Sequence, residues 1–272
     1  MYAFDTPGKT RIRVKNAAGL ISVDPSETGR TTVELEALRD DDATREAIER
    51  ATVELNGNEI LIEIGAGSKG FGVGPAWITF GRTPQVGVRV RCPEDADLEC
   101  STASADVVAT GRLGEVQVKT ASGDVSVEHA AGLRVHSASG DVRGATIAGD
   151  ARLQTVSGDI RLGTVTGQVS TTLVSGDFAI EDAQTDLSAK TVSGDQRIGA
   201  IRAGQITLQS VSGDVRLGVR PGTRLRIDAN SMSGDVSSEF DVKDSPSEGT
   251  SGAEARLQIK TVSGDVEITR AA

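Results

Sequence analysis

Residues 155–162 read Thr-Val-Ser-Gly-Asp-Ile-Arg-Leu, and residues 191–198 repeat this order with Gln in place of Ile and Ile in place of Leu. The tripeptide Ser-Gly-Asp occurs eight times, beginning at Ser122, Ser139, Ser157, Ser175, Ser193, Ser212, Ser233 and Ser263. Successive copies are 17, 18, 18, 18, 19, 21 and 30 residues apart. A motif that returns at a nearly constant interval is typical of stacked repeats, because each repeat buries its apolar face only against its neighbours. The sequence therefore predicts an all-β fold with a β-solenoid (β-helix) of about nine coils of ~18 residues over residues 93–272.

Each coil divides into two half-coils. Apolar and polar residues alternate after the motif, as at Ile160 and Leu162, and this period of two is that of a half-buried strand. The motif glycines are predicted to form the tight turns, since Gly tolerates positive φ. These structural-turn residues are Gly123, Gly140, Gly158, Gly176, Gly194, Gly213, Gly234 and Gly264. The valines that precede the motif are expected to turn inwards at the corner, and they are Val156, Val174, Val192, Val211 and Val262.

The last two intervals, of 21 and 30 residues, predict longer loops near the end of the solenoid. The polar stretch from Phe240 to Thr250 is the first place to look for a binding loop, since insertions on a regular scaffold often carry function. The chain ends a few residues after Asp265 without a capping helix pattern. An exposed carboxy-terminal coil could therefore form a homodimer through a solenoid end.

Residues 1–92 lack the motif and are predicted to be a β-rich capping region. Strands are expected at 10–15, 20–23, 31–37, 52–56, 59–64 and 85–91. A helix is expected at about 41–50, capped by Asp40, Asp41 or Asp42. The Gly-rich stretch Gly65–Gly81, which carries Phe71, Trp77 and Phe80, either folds over an open solenoid edge or contacts a partner. Capping is favoured because an uncovered edge invites association.

The composition limits which partners and which cellular location are expected. A formal net charge of −10 and a pI of about 4.8 argue against nucleic acid and anionic membrane surfaces as partners. No stretch approaches 18 apolar residues, so no membrane insertion is expected. With no leader pattern, the expected location is cytoplasmic, or extracellular if a leader was removed. Two cysteines, Cys92 and Cys100, could pair, but are expected to be free thiols in a reducing compartment.

The aspartates of the motif would form a column of carboxylates along one edge. The weak candidates for calcium ligands are Asp124, Asp141, Asp159, Asp177, Asp195 and Asp214. The favoured interpretation is structural: each Asp closes its turn, and arginines two residues on offset the repulsion between neighbouring carboxylates. Those arginines are Arg143, Arg161, Arg197 and Arg216.

Sequence patterns that would indicate catalysis are weaker than the aspartate column. His129 and His136 are seven residues apart, and Glu128 is adjacent to His129. A surface pair of histidines of this kind is seldom a catalytic site. No zinc-protease, nucleophile-elbow or Cys-x-x-Cys motif is present, so no enzyme activity, no cofactor and no metal is expected. Arg220, Arg224 and Arg226 are interpreted as an exposed charged edge.

The Ser-Gly-Asp-Val units, the β-rich amino-terminal region and the run Pro93–Glu99 together resemble a bacterial putative-adhesin family of domains of unknown function. The resemblance implies a β-helix-like fold with no established enzymatic activity, no agreed ligand and no catalytic residues to carry over. Many members look exported or membrane-anchored, whereas this chain is more similar to the leaderless intracellular members.

Three functional hypotheses follow. The first is a non-enzymatic scaffold that presents an extended solenoid surface to a protein partner, as repeat surfaces are suited to do. The second is a cell-surface adhesin that binds glycan or protein, with or without stabilisation by calcium. The third and weakest is a β-helix enzyme that acts on polysaccharide. The first is favoured, because the sequence lacks both a leader and a catalytic constellation.

Overall fold

The computed structural model describes residues 1–64, 83–240 and 253–271. The chain forms two compact units, Met1–His129 and Ala130–Ala272, which we call unit 1 and unit 2. The all-β solenoid prediction is confirmed, since the described residues form mostly parallel strands with a single short helix. No helix in these ranges is long and apolar enough to cross a membrane.

Unit 1 is organised around one long strand that pairs along both of its edges. Its elements are β1 (Tyr2–Asp5), β2 (Arg11–Asp24), β3 (Arg30–Ala37), α1 (Asp42–Glu49), β4 (Thr52–Asn56), β5 (Glu59–Ile64), β6 (Val86–Arg91) and β7 (Asp97–Thr120). The central strand β2 pairs in parallel with β5 and β6 on one edge and with β7 on the other. Parallel stacking therefore includes residues upstream of residue 93.

The predicted strands of the amino-terminal region are present with one change. The segments predicted at 10–15 and 20–23 are one continuous strand, β2, which bends at Gly19, where φ is +124°. Strand β1 was not predicted; it pairs antiparallel with β3, which in turn pairs antiparallel with β6. A four-residue edge strand without alternation leaves little pattern in the sequence.

The helix α1 begins at its predicted cap. Asp41 is the N-cap residue, and its Oδ1 accepts a hydrogen bond of 2.7 Å from the Thr44 N–H. Thr44 and Ala47 are the buried residues of the helix. The stretch Gly65–Gly81, with its predicted capping role, lies outside the described residues, as does the predicted binding loop from residue 241 onward.

Unit 2 is a regular parallel stack. The strand β8 (Val125–Ser137) enters it across residue 130, and the elements that follow are β9 (Val142–Ile147), β10 (Ala151–Ser157), β11 (Ile160–Val165), β12 (Val169–Ser175), β13 (Phe178–Ala183), β14 (Leu187–Ser193), β15 (Gln196–Ile201), β16 (Gly204–Ser212), β17 (Val215–Val219), β18 (Arg224–Ser233), β19 (Val236–Ser238), β20 (Glu254–Ser263) and β21 (Val266–Arg270). From β8 to β15 each strand pairs in parallel with the strand two places on, so that this series ends at β17. We call the two strands of one coil, with the Ser-Gly-Asp turn between them, a rung.

The interior of unit 2 consists of columns of side chains that repeat from rung to rung. One column runs through Ile160, Phe178, Gln196 and Val215, all of them buried. The predicted alternation after the motif is confirmed. Gln196 is the polar member of this column, and its Nε2 donates a hydrogen bond of 2.8 Å to the Gln209 carbonyl. A thin core of this kind needs few aromatic side chains, in keeping with an aromatic fraction of 3%.

The last coil of the chain does not lie at the end of the stack. The rung β20–β21 lies between β16–β17 and β18–β19, and it pairs in parallel with both. The chain thus skips one rung position after β17 and later returns to fill it. The skip accounts for the 21-residue interval and the return for the 30-residue interval, so these intervals do not only reflect longer loops.

The rung β18–β19 is the outermost of this series, and its inward-facing residues are only partly covered. Leu225, Ile227 and Ala229 are half-buried, and Val236 is exposed, whereas Leu257 in the neighbouring rung is fully buried. The expectation of an exposed carboxy-terminal coil is therefore wrong, because the rung at this end precedes the last coil in the sequence. A homodimer through a solenoid end remains a prediction, and β18–β19 would form the contact.

Candidate functional site

The motif aspartates form a hydrogen-bonded ladder. In unit 2, one carboxylate oxygen (Oδ1) of each Asp accepts the backbone N–H of the Asp in the next rung. The pairs run Asp141–Asp159, Asp159–Asp177, Asp177–Asp195, Asp195–Asp214, Asp214–Asp265 and Asp265–Asp235, with N···O distances of 2.9–3.0 Å. In unit 1 the Asp124 N–H donates in the same way to Asp106 at 3.0 Å. The ladder follows the spatial order of the rungs, in which Asp265 comes before Asp235.

The turn geometry explains why Gly precedes each of these aspartates. Gly176, Gly194 and Gly213 have φ values of +137° to +139°, a region that L side chains rarely adopt. A Cβ on Gly194 would lie 2.1 Å from the carbonyl oxygen of Gly176 in the preceding rung. Both the conformation and the close approach therefore require Gly, and the predicted role of the motif glycines is consistent with this geometry.

The second carboxylate oxygen (Oδ2) of several ladder aspartates faces an arginine two residues on. The Arg161–Asp159 and Arg197–Asp195 pairs are 2.7 and 2.6 Å long, and Arg197 also reaches the Asp177 carboxylate at 3.2 Å. The arginine column ends at Arg216, after which Glu267 and Ser237 take the equivalent positions. The last three rungs therefore carry a shallow acidic groove, lined by Asp214, Arg216, Asp235, Ser237, Asp265 and Glu267.

A second, shorter ladder occupies the midpoint turns and was missed in the sequence. The Asp150 Oδ1 accepts the Gln168 N–H at 3.0 Å, and the Asp186 Oδ1 accepts the Gln205 N–H at 2.8 Å. Asp thus alternates with Gln from rung to rung. The signal that could have revealed it is a carboxylate nine residues before a motif aspartate, as at Asp150 and Asp186.

Calcium is not expected to stabilise the protein, because the Oδ1 atoms of the ladder aspartates already accept backbone N–H groups and the Oδ2 atoms of several of them, as far as Asp214, pair with arginines. Within residues 1–64, 83–240 and 253–271 no three His, Cys, Asp or Glu side chains are grouped so as to hold a metal ion. A ligand that binds the native state raises the unfolding midpoint. We predict that millimolar calcium, compared with chelator, shifts the midpoint by less than about 1 °C in thermal unfolding followed by circular dichroism.

Two variants of Asp195 provide the control for this prediction. Asp195→Asn keeps an oxygen acceptor for the Asp214 N–H and loses only the exposed pair with Arg197, at a cost of about 0–1 kcal/mol. Asp195→Ala loses the acceptor as well, at a cost of about 1.5–3 kcal/mol. A large calcium-dependent rise in the midpoint that Asp195→Asn abolishes would contradict the structural role.

The two histidines considered as catalytic candidates belong to different units. His129 is exposed and lies 3.7 Å from the Glu128 carboxylate in unit 1, and His136 is an exposed residue of unit 2. Arg224 and Arg226 are exposed on the outermost rung, as predicted for a charged edge. Arg220 is exposed as well, and its guanidinium pairs at 3.0 Å with a largely buried carboxylate, that of Asp182.

Cys92 and Cys100 are both buried and free. Burial raises the pKa of the Cys100 thiol to about 12, with a further contribution from the Glu99 carboxylate. The pKa of Cys92 is raised to about 12 by burial and by the Asp24 carboxylate. Both thiols are therefore protonated at neutral pH and are poor nucleophiles.

The folded protein is expected to resist thiol reagents. A thiol with a pKa of about 12 is a thiolate in on the order of one molecule in 10⁴ at pH 8. We predict that Ellman's reagent modifies neither cysteine within minutes at pH 8, and modifies both after denaturation in urea. Rapid modification of the native protein would contradict the burial of Cys92 and Cys100.

The valines before the motif are exposed, so the prediction that they turn inwards is wrong. Five of them and one methionine form a column along unit 2, in the spatial order Val156, Val174, Val192, Val211, Val262 and Met232. The valines are 44–52% exposed, and Met232 is 81% exposed. Strand β10 continues to Ser157, so the alternation persists and places Val156 outward. We call these six residues the valine column.

The two outward columns beside the valine column are neutral or cationic on every strand except the outermost, β18. On β8, β10, β12, β14, β16 and β20 these positions are held by Arg134, His136, Arg152, Gln154, Ser170, Thr172, Ser188, Lys190, Thr207, Gln209, Gln258 and Lys260. None of these twelve is a carboxylate, although the chain has a net charge of −10. On the outermost strand β18, beside Met232, the equivalent positions hold Asp228 and Asn230. Arg152 pairs with Asp150 at 3.1 Å. Among the described residues, no ion pair forms at Arg134, Lys190 or Lys260. These columns and the valine column together form what we call the valine face.

A comparison with known protein families shows to which domain family the chain belongs. The model of the Toastrack DUF4097 family matches residues 9–269. The chain belongs to this family. The membership agrees with the resemblance inferred from the Ser-Gly-Asp units, and the Toastrack domain is a domain of unknown function. A comparison with curated proteins gave no match.

Solved structures similar to this Toastrack chain come from several bacteria. A putative lipid binding protein of Parabacteroides distasonis is 15% identical, with a TM-score of 0.49 over 100% of this chain and 96% of that one. A putative adhesin of Bacteroides fragilis is 11% identical, with a TM-score of 0.42 over 98% and 95%. A putative adhesin of Parabacteroides merdae is 10% identical, with a TM-score of 0.42 over 98% and 94%.

Proposed function

We propose that this Toastrack protein is a non-enzymatic binding protein that presents the valine face of unit 2 to a protein partner. The observation that carries the proposal is the valine column. Seven large hydrophobic residues in the described part of unit 2 are exposed, and six of them lie in this column. Soluble proteins rarely leave apolar side chains contiguous on their surface unless the patch is an interaction site.

The valine column is not needed to close the solenoid. The equivalent position is held by Ala138 at β8, so the turn tolerates a small side chain there. The column also stands on parallel sheet, which holds its side chains in a regular row about 4.8 Å apart. A rigid, repetitive surface of this kind suits binding rather than catalysis. The two buried thiols fit a reducing, cytoplasmic location.

Site-specific photo-crosslinking tests the proposal. A photoreactive amino acid is placed at Val192 in the valine column, or at Glu181, an exposed residue of β13, as the matched control. In the native cells we expect a discrete protein adduct from position 192 and none from position 181. The captured protein, once purified, should bind the unmodified chain in calorimetry.

A triple variant provides the specificity control. Val174→Thr, Val192→Thr and Val211→Thr together keep the side-chain shape and the β-branched strand preference but remove apolar surface. The variant should fold with a circular dichroism spectrum like that of the wild type and lose binding of the purified partner by at least about tenfold. An adduct that is equal at both positions, or binding that survives the triple variant, would contradict the proposal. A glycan in place of a protein would favour the adhesin alternative.

A further inference from the structure

We infer that the partner docks on the valine face as an amphipathic, acidic α-helix of about three to four turns that runs along the valine column. This inference rests on the proposed function and specifies the chemistry of the partner. It is carried by two observations on the described residues: the spacing of the valine column and the charge of the columns beside it.

The spacing of the valine column favours a helix over an extended segment. Successive rungs are about 4.8 Å apart, and one turn of an α-helix rises 5.4 Å. A helix along the column therefore meets about one valine per turn, and it loses only about 2 Å of register over three turns. An extended strand repeats its side chains on one face every ~6.8 Å, which does not match the rungs. Strand addition also requires a sheet edge, whereas the valine column lies on a sheet face.

The charges beside the column define which flank of the helix is acidic. Lys190 and Lys260 lie two residues before Val192 and Val262, so their ammonium groups line one side of the valine column. Arg134, in the rung before Val156, adds a third cation without an ion-pair partner among the described residues. Asp228 lies on the same flank only at the Met232 end, so the cationic part of the flank ends at Lys260. On the other side lie the turn serines and the aspartate ladder, which would repel carboxylates. The helix is therefore expected to carry Asp or Glu on the lysine flank only.

Two other occupants fit the valine face less well. Among the described residues of the face there is no Trp, Phe or Leu, the side chains by which proteins usually enter the membrane interface. A second copy of the chain would bring the same uncompensated cations together, and each copy carries a net charge of −10. Both alternatives are outcomes of the experiment below.

The test uses the full chain and two model peptides. Each is an 18-residue helical peptide with leucines at positions i, i+4, i+7 and i+11, and with either glutamates or lysines on one flank. Fluorescence anisotropy at about 0.15 M salt, where the long-range field of the net charge of −10 is screened, should show the glutamate peptide binding at least about tenfold more tightly than the lysine peptide. The double variant Lys190→Glu, Lys260→Glu, at exposed positions, should reverse this preference. The triple valine-to-threonine variant should weaken both peptides.

The outcomes separate this inference from the proposed function. If position 192 captures a protein in cells but the two peptides bind equally or the lysine peptide binds better, the helix inference is overturned and the binding proposal stands. Co-sedimentation with vesicles of phosphatidylglycerol that is lost in the triple variant would overturn it in favour of a lipid surface. A concentration-dependent dimer in light scattering that is lost in the triple variant would overturn it in favour of self-association.

Discussion

Leu257→Ala is expected to lower the free energy of unfolding by about 2–5 kcal/mol, the range for a fully buried leucine in a packed core. Leu257 has no exposed surface, and its rung lies between two others, with Ile206 on one side and Ile227 on the other. The substitution removes contacts to both neighbours and leaves a cavity that the stacked backbones cannot close. Urea unfolding followed by circular dichroism measures the loss.

Ile227→Ala is the matched control, because Ile227 lies in the same column one rung further out. It is only half-buried, so its truncation should cost about 1 kcal/mol. A last coil at the end of the stack would give the opposite ranking, since Leu257 would then be the more exposed of the two. The ranking of Leu257→Ala and Ile227→Ala therefore tests the insertion of the last coil directly.

Gly194→Ala is expected to be strongly destabilising, with a loss of about 3 kcal/mol or more. The residue has φ of +139°, and its new Cβ would lie 2.1 Å from a backbone oxygen of the preceding rung. Relief requires the two rungs to separate at the corner, which stretches the adjacent aspartate hydrogen bonds. Thermal and urea unfolding of the purified variant measure the effect.

Gly222→Ala separates the cost of the conformation from that of the clash. Gly222 also has positive φ, +81°, but a Cβ there would meet no atom within 4 Å. The cost should therefore be only about 1 kcal/mol, from the left-handed backbone alone. Equal losses for Gly194→Ala and Gly222→Ala would mean that the close approach between rungs contributes nothing.

The ladder of motif aspartates could be anticipated because its members recur at one position in each coil. Sequence periodicity placed Asp177 and Asp195 one above the other, and Arg197 two residues on, as the structure has them. The second ladder, through Asp150 and Asp186, escaped notice because Asp appears in it only at alternate rungs. When each coil is compared with the next, the alternation of Asp and Gln at this position is not visible as a repeat.

The exposure of the valine column depended on where the corner begins. The sequence does not say whether a strand ends before or after the residue at the Val192 position, and the two choices place its side chain on opposite faces. In the structure the strand continues to Ser193, and Gly194 and Asp195 make the corner. Val192 therefore lies on the same face of the strand as Lys190, which is the outer face. The candidate binding surface follows from this one-residue difference.

The sequence by itself determined the rung: its length, its two strands, its Gly turns and its inward columns all follow from local pattern and turn chemistry. Only the tertiary structure decided the order of the last rungs, because the two rungs carry the same Ser-Gly-Asp turn and can pair in the same register. The more apolar of the two rungs, β20–β21, occupies the buried position. Ile268 fills the interior column at which the outer rung has Ser238, and a buried Ile stabilises a stack in a way that Ser does not.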